Sequence, residues 1–245
     1  IKTGNDEIGK LKEDYNIMIL EIQKLIQQIV EEQRIKRKTE LNVLQAQVKP
    51  HFLYNTLDAM GYLALSGKSE ELYESIEALG SYYRSSLSKG QEVITIKEEI
   101  EIAKSYLILQ KLRYGEIFDV VYDIDEKTYK YKIPKLVLQP LIENSIYHGI
   151  KPKGEVGLIK ICVRAENEQI ILSVEDDGVG MSEEELESIK SDNIDSNSAS
   201  FGLKGTIKRL QLFYGITDIY NIESKKRYGT KIEIIIPMLR GADNE

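Results

Sequence analysis

The sequence predicts an α+β protein, in which a largely helical N-terminal region is followed by a domain of mixed helices and strands. Apolar residues over positions 8–29 alternate at spacings of three and four, which is typical of a coiled-coil helix. Helical periodicity then continues to Arg113, whereas sustained strand-like runs begin only after Ile117. These changes divide the chain into a first part, a helical second part and a mixed third part.

The first part carries a heptad pattern. Its apolar positions are separated alternately by three and four residues: Ile8, Leu11, Tyr15, Met18, Ile22, Leu25 and Ile29. Such a seam favours a left-handed coiled coil, and we predict a homodimer because no local partner precedes it. The alternative is a single amphipathic helix that lies on its own domain. The charged residues 33–40 that follow are expected to form a solvated face.

The second part is predicted to be helical. A helix over residues 41–48 runs into Pro50, which lacks the N–H that a helix interior needs, so the helix should bend or restart there. Residues 67–70 predict a turn, and helical periodicity resumes over residues 72–87. Residues 93–113 form a further predicted helix, because the strand-like patch at their start is only four residues long.

The third part alternates predicted strands and helices. Strands are expected over residues 118–122, 128–131, 158–165, 169–175, 219–224 and 231–236. Pro134 is suited to start a helix that runs to His148 and ends at the glycine after it. A second helix is predicted over residues 203–214, ended by Gly215. The polar stretch 182–200 is expected to be a mobile loop.

Composition weighs against several functional classes. The net charge of −7 argues against direct nucleic-acid binding, which depends on Lys and Arg contacts to phosphates. Cys162 is the single cysteine, so no internal disulfide forms and a reducing compartment fits. No apolar run approaches the roughly 18 residues of a membrane span, and no signal peptide begins at Ile1. A chain that begins with Ile leads us to expect a fragment of a longer protein.

The two histidines each lie in a distinctive motif. His51 follows Pro50, and His148 lies four residues after Asn144, so Asn144 and His148 share one face of a predicted helix. The amide oxygen of Asn144 is a suitable ligand for Mg²⁺, an ion that keeps several waters and also binds phosphates. A cap or brace for a neighbouring loop is the alternative role for Asn144.

Two glycine-containing turns follow. In the motif Asp176-Asp177-Gly178-Val179-Gly180, the glycines permit close backbone approach, and the carboxylate can accept a hydrogen bond from an exocyclic amine such as that of adenine. Phe201-Gly202-Leu203 lies at a predicted helix start, where phosphate can bind. Either motif alone also fits a plain turn. The order and spacing of three such signals in one domain favour a nucleotide site.

Together these motifs resemble the sensor histidine kinases of the LytS and YesM type over residues 41–237. The resemblance covers the motif around His51, the Asn helix, both glycine motifs, a strand near the end and a helical segment: residues 47–57, 138–149, 176–181, 202–210, 229–230 and 106–113. In that family the nucleotide-binding part is a Bergerat-type (GHKL) α/β sandwich, a mixed sheet with helices on one face. Residues 4–9 and the heptad helix resemble the second half of a HAMP linker.

The resemblance implies a role for each motif residue. It makes His51 the phosphoacceptor, Asn144 the Mg²⁺ ligand and Asp176 the adenine anchor, with ATP and Mg²⁺ as cofactors. The residues implied to shape the nucleotide lid are Gly178, Gly180, Gly202 and Leu203. Thr230 would lie near the adenine and His148 near the phosphates. A neutral imidazole is a competent nucleophile at cellular pH.

Two further residues are candidates by chemistry. Phe52 follows His51, so the acidic neighbour that serves as base in the commonest kinases is absent, and Glu143 is a candidate general base. Asn55, one helical turn after His51, is positioned to orient a water that dephosphorylates the partner regulator.

The chain departs from the family pattern in the second glycine motif. Ser200 stands where the motif usually begins with Gly, and Gly205 replaces a common Asn. A signalling scaffold that binds nucleotide without phosphorylating His51 is therefore one alternative. A GHKL ATPase is another, but the position of its water-activating Glu, four residues before the Asn, is Pro140 here.

The resemblance also implies an arrangement of domains and partners. Residues 1–38 would hold the HAMP half and signalling coiled coil, 39–115 the helical-hairpin dimerisation and phosphotransfer domain, and 116–240 the ATP-binding domain. The expected partners are a second copy and the receiver domain of a response regulator of AraC or LytTR type, with no direct nucleic-acid contact. The chain would be the cytoplasmic portion of a bacterial plasma-membrane sensor whose transmembrane region lies upstream.

Overall fold

The computed structural model describes residues 14–30, 50–86, 92–190 and 201–239. The chain divides into two compact units, residues 1–54 and 55–245. The expectations for the HAMP-like residues 4–9, for a helix over residues 41–48 and for Ser200 lie outside the described residues.

The first unit contains helix α1, residues 14–30, and the start of helix α2, Pro50–Leu65. Pro50 suits the first position of α2 because its missing N–H needs no partner there. Helix α1 confirms the helical prediction over the described part of the heptad pattern. Its seam residues are about half exposed: Tyr15, Met18, Ile22, Leu25 and Ile29. The homodimer stays a prediction.

In the second unit, helices α3 and α4 correspond to two helices that the sequence predicted in outline, and they pack against each other. Helix α3, Ser69–Ser86, follows a turn at Gly67, and it packs along α4, Ile96–Tyr114. The N-terminus of α4 is closed by a capping box, in which the Thr95 hydroxyl accepts from the Glu98 N–H at 3.2 Å and the Glu98 carboxylate accepts from the Thr95 N–H at 2.7 Å.

A five-stranded mixed sheet forms the body of the second unit. Its strands are β2 (Phe118–Ile124), β4 (Gly157–Glu166), β5 (Gln169–Asp176), β6 (Tyr220–Lys225) and β7 (Gly229–Pro237). They lie in the order β2-β4-β5-β7-β6, and only β2 and β4 run parallel. Two positive-φ residues, Asn167 and Glu168, form the predicted tight turn between β4 and β5.

A second, two-stranded sheet corrects two predictions. Val93–Thr95 is strand β1, not the start of a helix, and it pairs antiparallel with β3, Lys132–Pro134. The strand predicted over residues 128–131 is wrong, because Glu126–Thr128 is a 3₁₀ turn and the strand begins at Lys132. Since β1 and β3 are far apart in sequence, three residues that look weak alone are stabilised by a partner that a local window does not include.

The helix predicted from Pro134 to His148 has different ends. Helix α5 is Leu138–Asn144, because Leu136 has a φ of +59° and keeps the preceding residues out of the helix. The chain then widens into a π-helical segment, Ser145–Ile150, and continues as a 3₁₀ turn to Gly154, whose φ is +73°. Gly149 therefore lies inside the segment and does not end it.

The stretch predicted as a mobile loop is helical in its first half. Helix α6, Glu183–Lys190, follows Ser182, and residues 191–200 lie outside the described part of the chain. The Glu185 carboxylate accepts from the Ser182 N–H at 2.7 Å, and the Ser182 hydroxyl accepts from the Glu185 N–H at 3.3 Å. This capping box is a start signal that the polar composition masked. Helix α7, Phe201–Tyr214, ends at Gly215 as predicted.

The core lies between one face of the large sheet and the helices α4, α5 and α7. Alternate strand residues are fully buried, including Ile159, Ile161, Val163, Leu172, Val174, Ile232 and Ile234. The opposite face carries polar residues, among them Lys160, Arg164, Glu175, Lys231 and Glu233. An α+β chain with helices on one face of a mixed sheet confirms the predicted fold class. Of the helices described, none has the length and apolar character to cross a bilayer.

Candidate nucleotide site

Asp176 lies at the end of β5, where the sheet register places it opposite Thr230 in β7. Both residues are buried, Asp176 to 3% exposure and Thr230 to 6%. The Ser224 hydroxyl lies 2.9 Å from the Thr230 hydroxyl and also donates to the Gly229 carbonyl at 3.0 Å. The strand pairing thus joins the acidic glycine turn to the Gly229-Thr230 strand, two features that the sequence could not place side by side.

Three glycines surround the Asp176 carboxylate and backbone. A Cβ at Gly149 would contact the Asp176 carboxylate, a Cβ at Gly178 would contact the Gly149 backbone, and a Cβ at Gly229 would contact the Asp176 carbonyl. The Val179 N–H also donates to the Gly149 carbonyl at 3.0 Å. The glycines therefore serve close backbone packing around one carboxylate. Sequence reasoning treated Gly149 only as a helix end, and missed this role.

The Asp176 carboxylate is incompletely hydrogen-bonded. Its Oδ1 accepts from the Gly178 N–H at 3.0 Å, whereas the buried Oδ2 has no hydrogen bond of good geometry among the described residues. Burial raises the pKa of Asp176 from its ordinary value of 3.8 to about 6, and the nearby Ser145 hydroxyl and Gly178 N–H limit that rise. A donor brought by a ligand would satisfy Oδ2 and favour the ionised form.

The turn after Asp176 is anchored to the β6–β7 hairpin. The Arg227 N–H donates to the Val179 carbonyl at 2.6 Å, and the Met181 N–H donates to the Ser224 hydroxyl at 2.9 Å. Gly180 has a φ of +62°, and a Cβ there would contact the Lys225 carbonyl. Only glycine fits this position, so the predicted importance of Gly180 has a steric cause.

Asn144 is the last residue of α5 and is half-buried, immediately before the π-helical segment. His148, four residues later, is exposed. Single π-helical turns occur frequently at functional sites. This one begins at the residue after Asn144 and contains Gly149, so one short segment connects the Asn side chain with the Asp176 pocket.

Glu143 takes part in a hydrogen-bond network that the sequence did not suggest. Its Oε1 accepts from the Tyr106 hydroxyl at 3.1 Å and from the Gln139 amide at 2.9 Å. The Tyr82 hydroxyl in α3 donates to the Gln139 amide oxygen at 2.9 Å. The network ties α3, α4 and α5 together beside Asn144, so Glu143 has a structural role besides the predicted chemical one.

Asp177 also has a structural role. Its carboxylate accepts from the Lys153 ammonium at 3.0 Å and from the Leu158 N–H at 2.8 Å. It therefore joins the end of the α5 segment to the start of β4. Both oxygens of Asp177 thus accept a hydrogen bond, whereas Oδ2 of Asp176 accepts none of good geometry from the described part of the chain. Asp176 is therefore the aspartate that is available to a ligand.

The second glycine motif opens helix α7. Gly202 is exposed, with no neighbouring atom within 4 Å of the point that a Cβ would occupy, and Leu203 is buried. Helix α7 packs against α5. Its Arg209 donates to the Leu136 carbonyl at 2.9 Å. Gly202 and Leu203 thus start a helix that packs on the Asn144 helix. Asp176 and Thr230 are instead paired across neighbouring strands, and the Gly178 N–H donates to the Asp176 carboxylate.

His51 and Asn55 both lie in helix α2. His51 is exposed and belongs to the first unit, and Asn55 is half-buried and belongs to the second. An exposed imidazole on a helix is accessible to a phosphoryl donor and to a partner protein, which an interior histidine is not.

A groove of about 250 Å³ lies elsewhere, on the polar face of the large sheet, and is lined by residues including Lys160, Arg164, Glu175 and Glu233. None of the residues predicted for the site lines it. We assign the candidate site to Asp176 and its neighbours because their close glycine packing and incompletely bonded carboxylate have a chemical use, whereas the groove is a mixed-charge surface.

The residues present fit an adenine nucleotide with Mg²⁺. The orphaned Oδ2 of Asp176 is an acceptor for an exocyclic amine, and the glycines allow a planar base to approach the backbone. Asn144 offers one amide oxygen, which suffices because Mg²⁺ usually retains waters and binds phosphate oxygens as well.

Comparison with known proteins places the chain among histidine kinases. A family model described as histidine kinase matches residues 39–118, and one described as histidine kinase-, DNA gyrase B-, and HSP90-like ATPase matches residues 130–240. The sensor histidine kinase YesM of Bacillus subtilis is 35% identical over 95% of this chain and 39% of its own length.

Two further relatives carry similar names. The sensor histidine kinase YpdA of Escherichia coli is 33% identical over 83% of this chain and 35% of its own length. The sensor protein LytS of Enterococcus faecalis is 28% identical over 84% of this chain and 35% of its own length. The chain therefore spans less than two fifths of the length of these curated relatives.

Proposed function

Since this chain belongs to the sensor histidine kinase family, we propose that it transfers a phosphoryl group from Mg-ATP to His51 and then to an aspartate of a response regulator. The observation that supports nucleotide binding most directly is the buried Asp176 carboxylate, whose Oδ2 lacks a hydrogen-bond donor among the described residues. The exocyclic amine of adenine is a donor of the required kind.

Within this proposal, each site residue binds or orients one part of the substrate. Asp176 and Thr230 hold the adenine, while Gly178 and Gly180 give the turn its close backbone approach. Asn144 is the protein ligand of Mg²⁺, and His148, Gly202 and Leu203 line the phosphate and lid side. The bound Mg²⁺ supplies charge neutralisation at the phosphates. The chain supplies positioning, on which phosphoryl transfer chiefly depends.

The transfer itself uses the lone pair of the neutral His51 imidazole. A nitrogen–phosphorus bond forms, and the bond between the γ-phosphorus and its bridging oxygen breaks, so the electron pair leaves with ADP. The imidazolium proton is then lost to a base, for which Glu143 is our candidate. In the second step the nitrogen–phosphorus bond breaks as a regulator aspartate takes the phosphoryl group. In a separate reaction, Asn55 is proposed to orient a water that attacks the phosphorus of the regulator's aspartyl phosphate, so that the bond to the aspartate oxygen breaks and inorganic phosphate is released.

We also propose the wider arrangement that the family suggests. Residues 1–38 form the HAMP half and coiled coil, 39–115 the dimerisation and phosphotransfer domain, and 116–240 the ATP-binding domain. The names of the relatives as sensors support an upstream transmembrane sensor, with this portion on the cytoplasmic side. The partner is a receiver domain of an AraC-type or LytTR-type regulator.

A homodimer is part of this proposal. Its support is that each of two helices carries exposed apolar residues. These are Ile22, Leu25 and Ile29 on α1 and, separately, Leu57, Tyr62 and Leu65 on α2. Exposed apolar surfaces of this kind mark interaction sites.

The test is incubation of the 245-residue chain with γ-labelled ATP and Mg²⁺, beside His51→Ala as the control. We expect acid-labile, alkali-stable label on the native chain and none on the variant, which should still bind a fluorescent ATP analogue. Label that persists in the variant would place the phosphoacceptor elsewhere. Nucleotide binding without label would favour a scaffold, and phosphate release without label an ATPase.

A further inference from the structure

Glu99 is a buried carboxylate that none of the steps above uses. It lies in α4, is 1% exposed, and points at the junction before α5. It accepts three backbone hydrogen bonds, from the N–H groups of Leu136 at 2.7 Å, Val137 at 2.7 Å and Leu138 at 2.8 Å. A carboxylate that receives three consecutive backbone donors is held in one position.

The N–H groups of Val137 and Leu138 belong to the N-terminus of the helix that carries Asn144, and Leu136 immediately precedes it. The first N–H groups of a helix have no partner within the helix, and the residue before α5 is Val137, whose side chain cannot accept. Glu99 therefore caps α5 from a different helix, and its negative charge complements the helix dipole. Burial raises the pKa of Glu99, and the three backbone donors and Arg209 act in the opposite direction.

The same junction also contacts α7. The Arg209 guanidinium donates to the Leu136 carbonyl at 2.9 Å, so Leu136 is bonded through its N–H to α4 and through its carbonyl to α7. Its φ of +59° shows that tertiary contacts, and not local preference, set its conformation. The helix of Asn144 and the helix that begins at Phe201 thus share one anchor.

We propose that Glu99 is a positioning residue for Mg²⁺-nucleotide binding: it fixes the helix of Asn144 so that the amide oxygen is held where the metal must lie. This inference rests on the proposed function, since it assumes that Asn144 binds the metal. Because α5 is a short rigid element, a shift at its N-terminus is carried to Asn144 at its other end. Residues that hydrogen-bond a metal ligand directly typically change metal affinity about 10- to 100-fold when they are replaced. Since Glu99 acts through the helix, we expect an effect at the lower end of that range.

The test compares Glu99→Gln with its neighbour variant Glu98→Gln in the full chain. Glu99→Gln keeps the shape of the side chain, but it replaces one acceptor oxygen with an NH2 group that faces a backbone N–H. Glu98→Gln is the control, because it disturbs only the exposed capping box of α4. The dissociation constant of fluorescent trinitrophenyl-ATP is measured with Mg²⁺ and with EDTA, together with amide hydrogen exchange at Leu136, Val137 and Leu138.

We expect Glu99→Gln to weaken binding at least about tenfold with Mg²⁺ and far less with EDTA, with faster exchange at the three amides. Glu98→Gln should bind as the native chain does under both conditions. Equal loss with and without Mg²⁺, or no loss, would overturn the inference. A native chain whose binding does not depend on Mg²⁺ would instead contradict the proposed function.

If Glu99→Gln does not fold, Arg209→Lys decides the question. A lysine keeps the positive charge near Glu99 but loses the planar guanidinium that reaches the Leu136 carbonyl. We expect Arg209→Lys to weaken nucleotide binding with Mg²⁺ more than with EDTA, by a smaller factor than Glu99→Gln does. A variant that folds and binds with unchanged Mg²⁺ dependence would overturn the inference.

Discussion

Replacing Asp176 by Asn should make the nucleotide-free protein more stable while removing its affinity for adenine nucleotides. At pH 8 the Asp176 carboxylate is ionised, is 3% exposed and lacks a donor at Oδ2 among the described residues. Asn has nearly the same shape and no charge, so Asp176→Asn removes a desolvated charge. If the Asn oxygen keeps the hydrogen bond from the Gly178 N–H, its NH2 group lies where Oδ2 was, and this donor cannot accept the adenine amine.

The magnitude follows from the raised pKa of Asp176. A rise in the pKa from 3.8 to about 6 means that the free energy of folding is about 3 kcal/mol less favourable with Asp176 ionised than with Asp176 protonated. Since the folded pKa is the higher one, the folded protein binds the proton more tightly than the unfolded chain does. The stabilisation from that proton is complete below about pH 4 and is lost as the pH rises through about 6. The free energy of unfolding of the variant should therefore exceed that of the native chain by up to about 3 kcal/mol at pH 8 and by up to about half of that at pH 5, because burying the Asn amide itself costs some free energy.

Urea denaturation of the native chain and of Asp176→Asn, each at pH 8 and pH 5 without nucleotide, measures the difference directly. A fluorescent ATP analogue then reports binding at pH 8. The reasoning is refuted if the stability difference is the same at both pH values, or if the variant is the less stable protein at pH 8. Retained nucleotide affinity would separately remove Asp176 from the adenine site.

Four other predictions concern the same site, the second glycine motif and the dimer. Asn144→Ala should abolish Mg²⁺-dependent nucleotide turnover while the circular dichroism spectrum stays unchanged; unaltered turnover would remove Asn144 from the site. Gly149→Ala should cost about 1–3 kcal/mol in urea denaturation, because its Cβ would contact the Asp176 carboxylate. Gly205→Ala, where a Cβ meets nothing within 4 Å, should be neutral or up to about 1 kcal/mol stabilising. Light scattering at micromolar concentration should give a dimer, and a monomer would contradict the coiled-coil prediction for residues 8–29.

Elements with strong local signals were predictable. The β4–β5 hairpin was found because alternating apolar residues flank a short turn, where Asn167 and Glu168 do take positive φ. Helix α7 was found from its periodicity and from Gly215, which ends it with a φ of +67°. In both cases neighbouring residues alone carry the information, so one sequence suffices.

Elements fixed by distant partners were missed. Strand β1 exists because it pairs with β3, and helix α5 starts late because Glu99 and Arg209 hold Leu136 outside the helix. These causes lie far away along the chain, and no periodicity reports them. The start of α6 is a different kind of miss, because the capping box at Ser182 was present in the sequence and was outweighed by polar composition.

The candidate site shows the same division. Short motifs identified Asp176, Gly178 and Asn144, since spacing within a motif is local. The packing of Gly149 against the Asp176 carboxylate depends on how α5 lies across the sheet, and that contact explains why a glycine follows His148. Motifs therefore predicted the candidate residues, and only the fold shows which of them touch.

The two buried carboxylates of the second unit argue for different uses through the donors that each receives. Glu99 accepts three backbone hydrogen bonds and lies near Arg209, and these groups offset part of the cost of burying its charge. Asp176 accepts one at Oδ1 and keeps a buried Oδ2 with no donor in the described structure. A satisfied buried charge serves architecture, whereas an unsatisfied one lowers stability unless a ligand completes it. Asp176 is for this reason the better candidate for substrate contact and Glu99 for positioning.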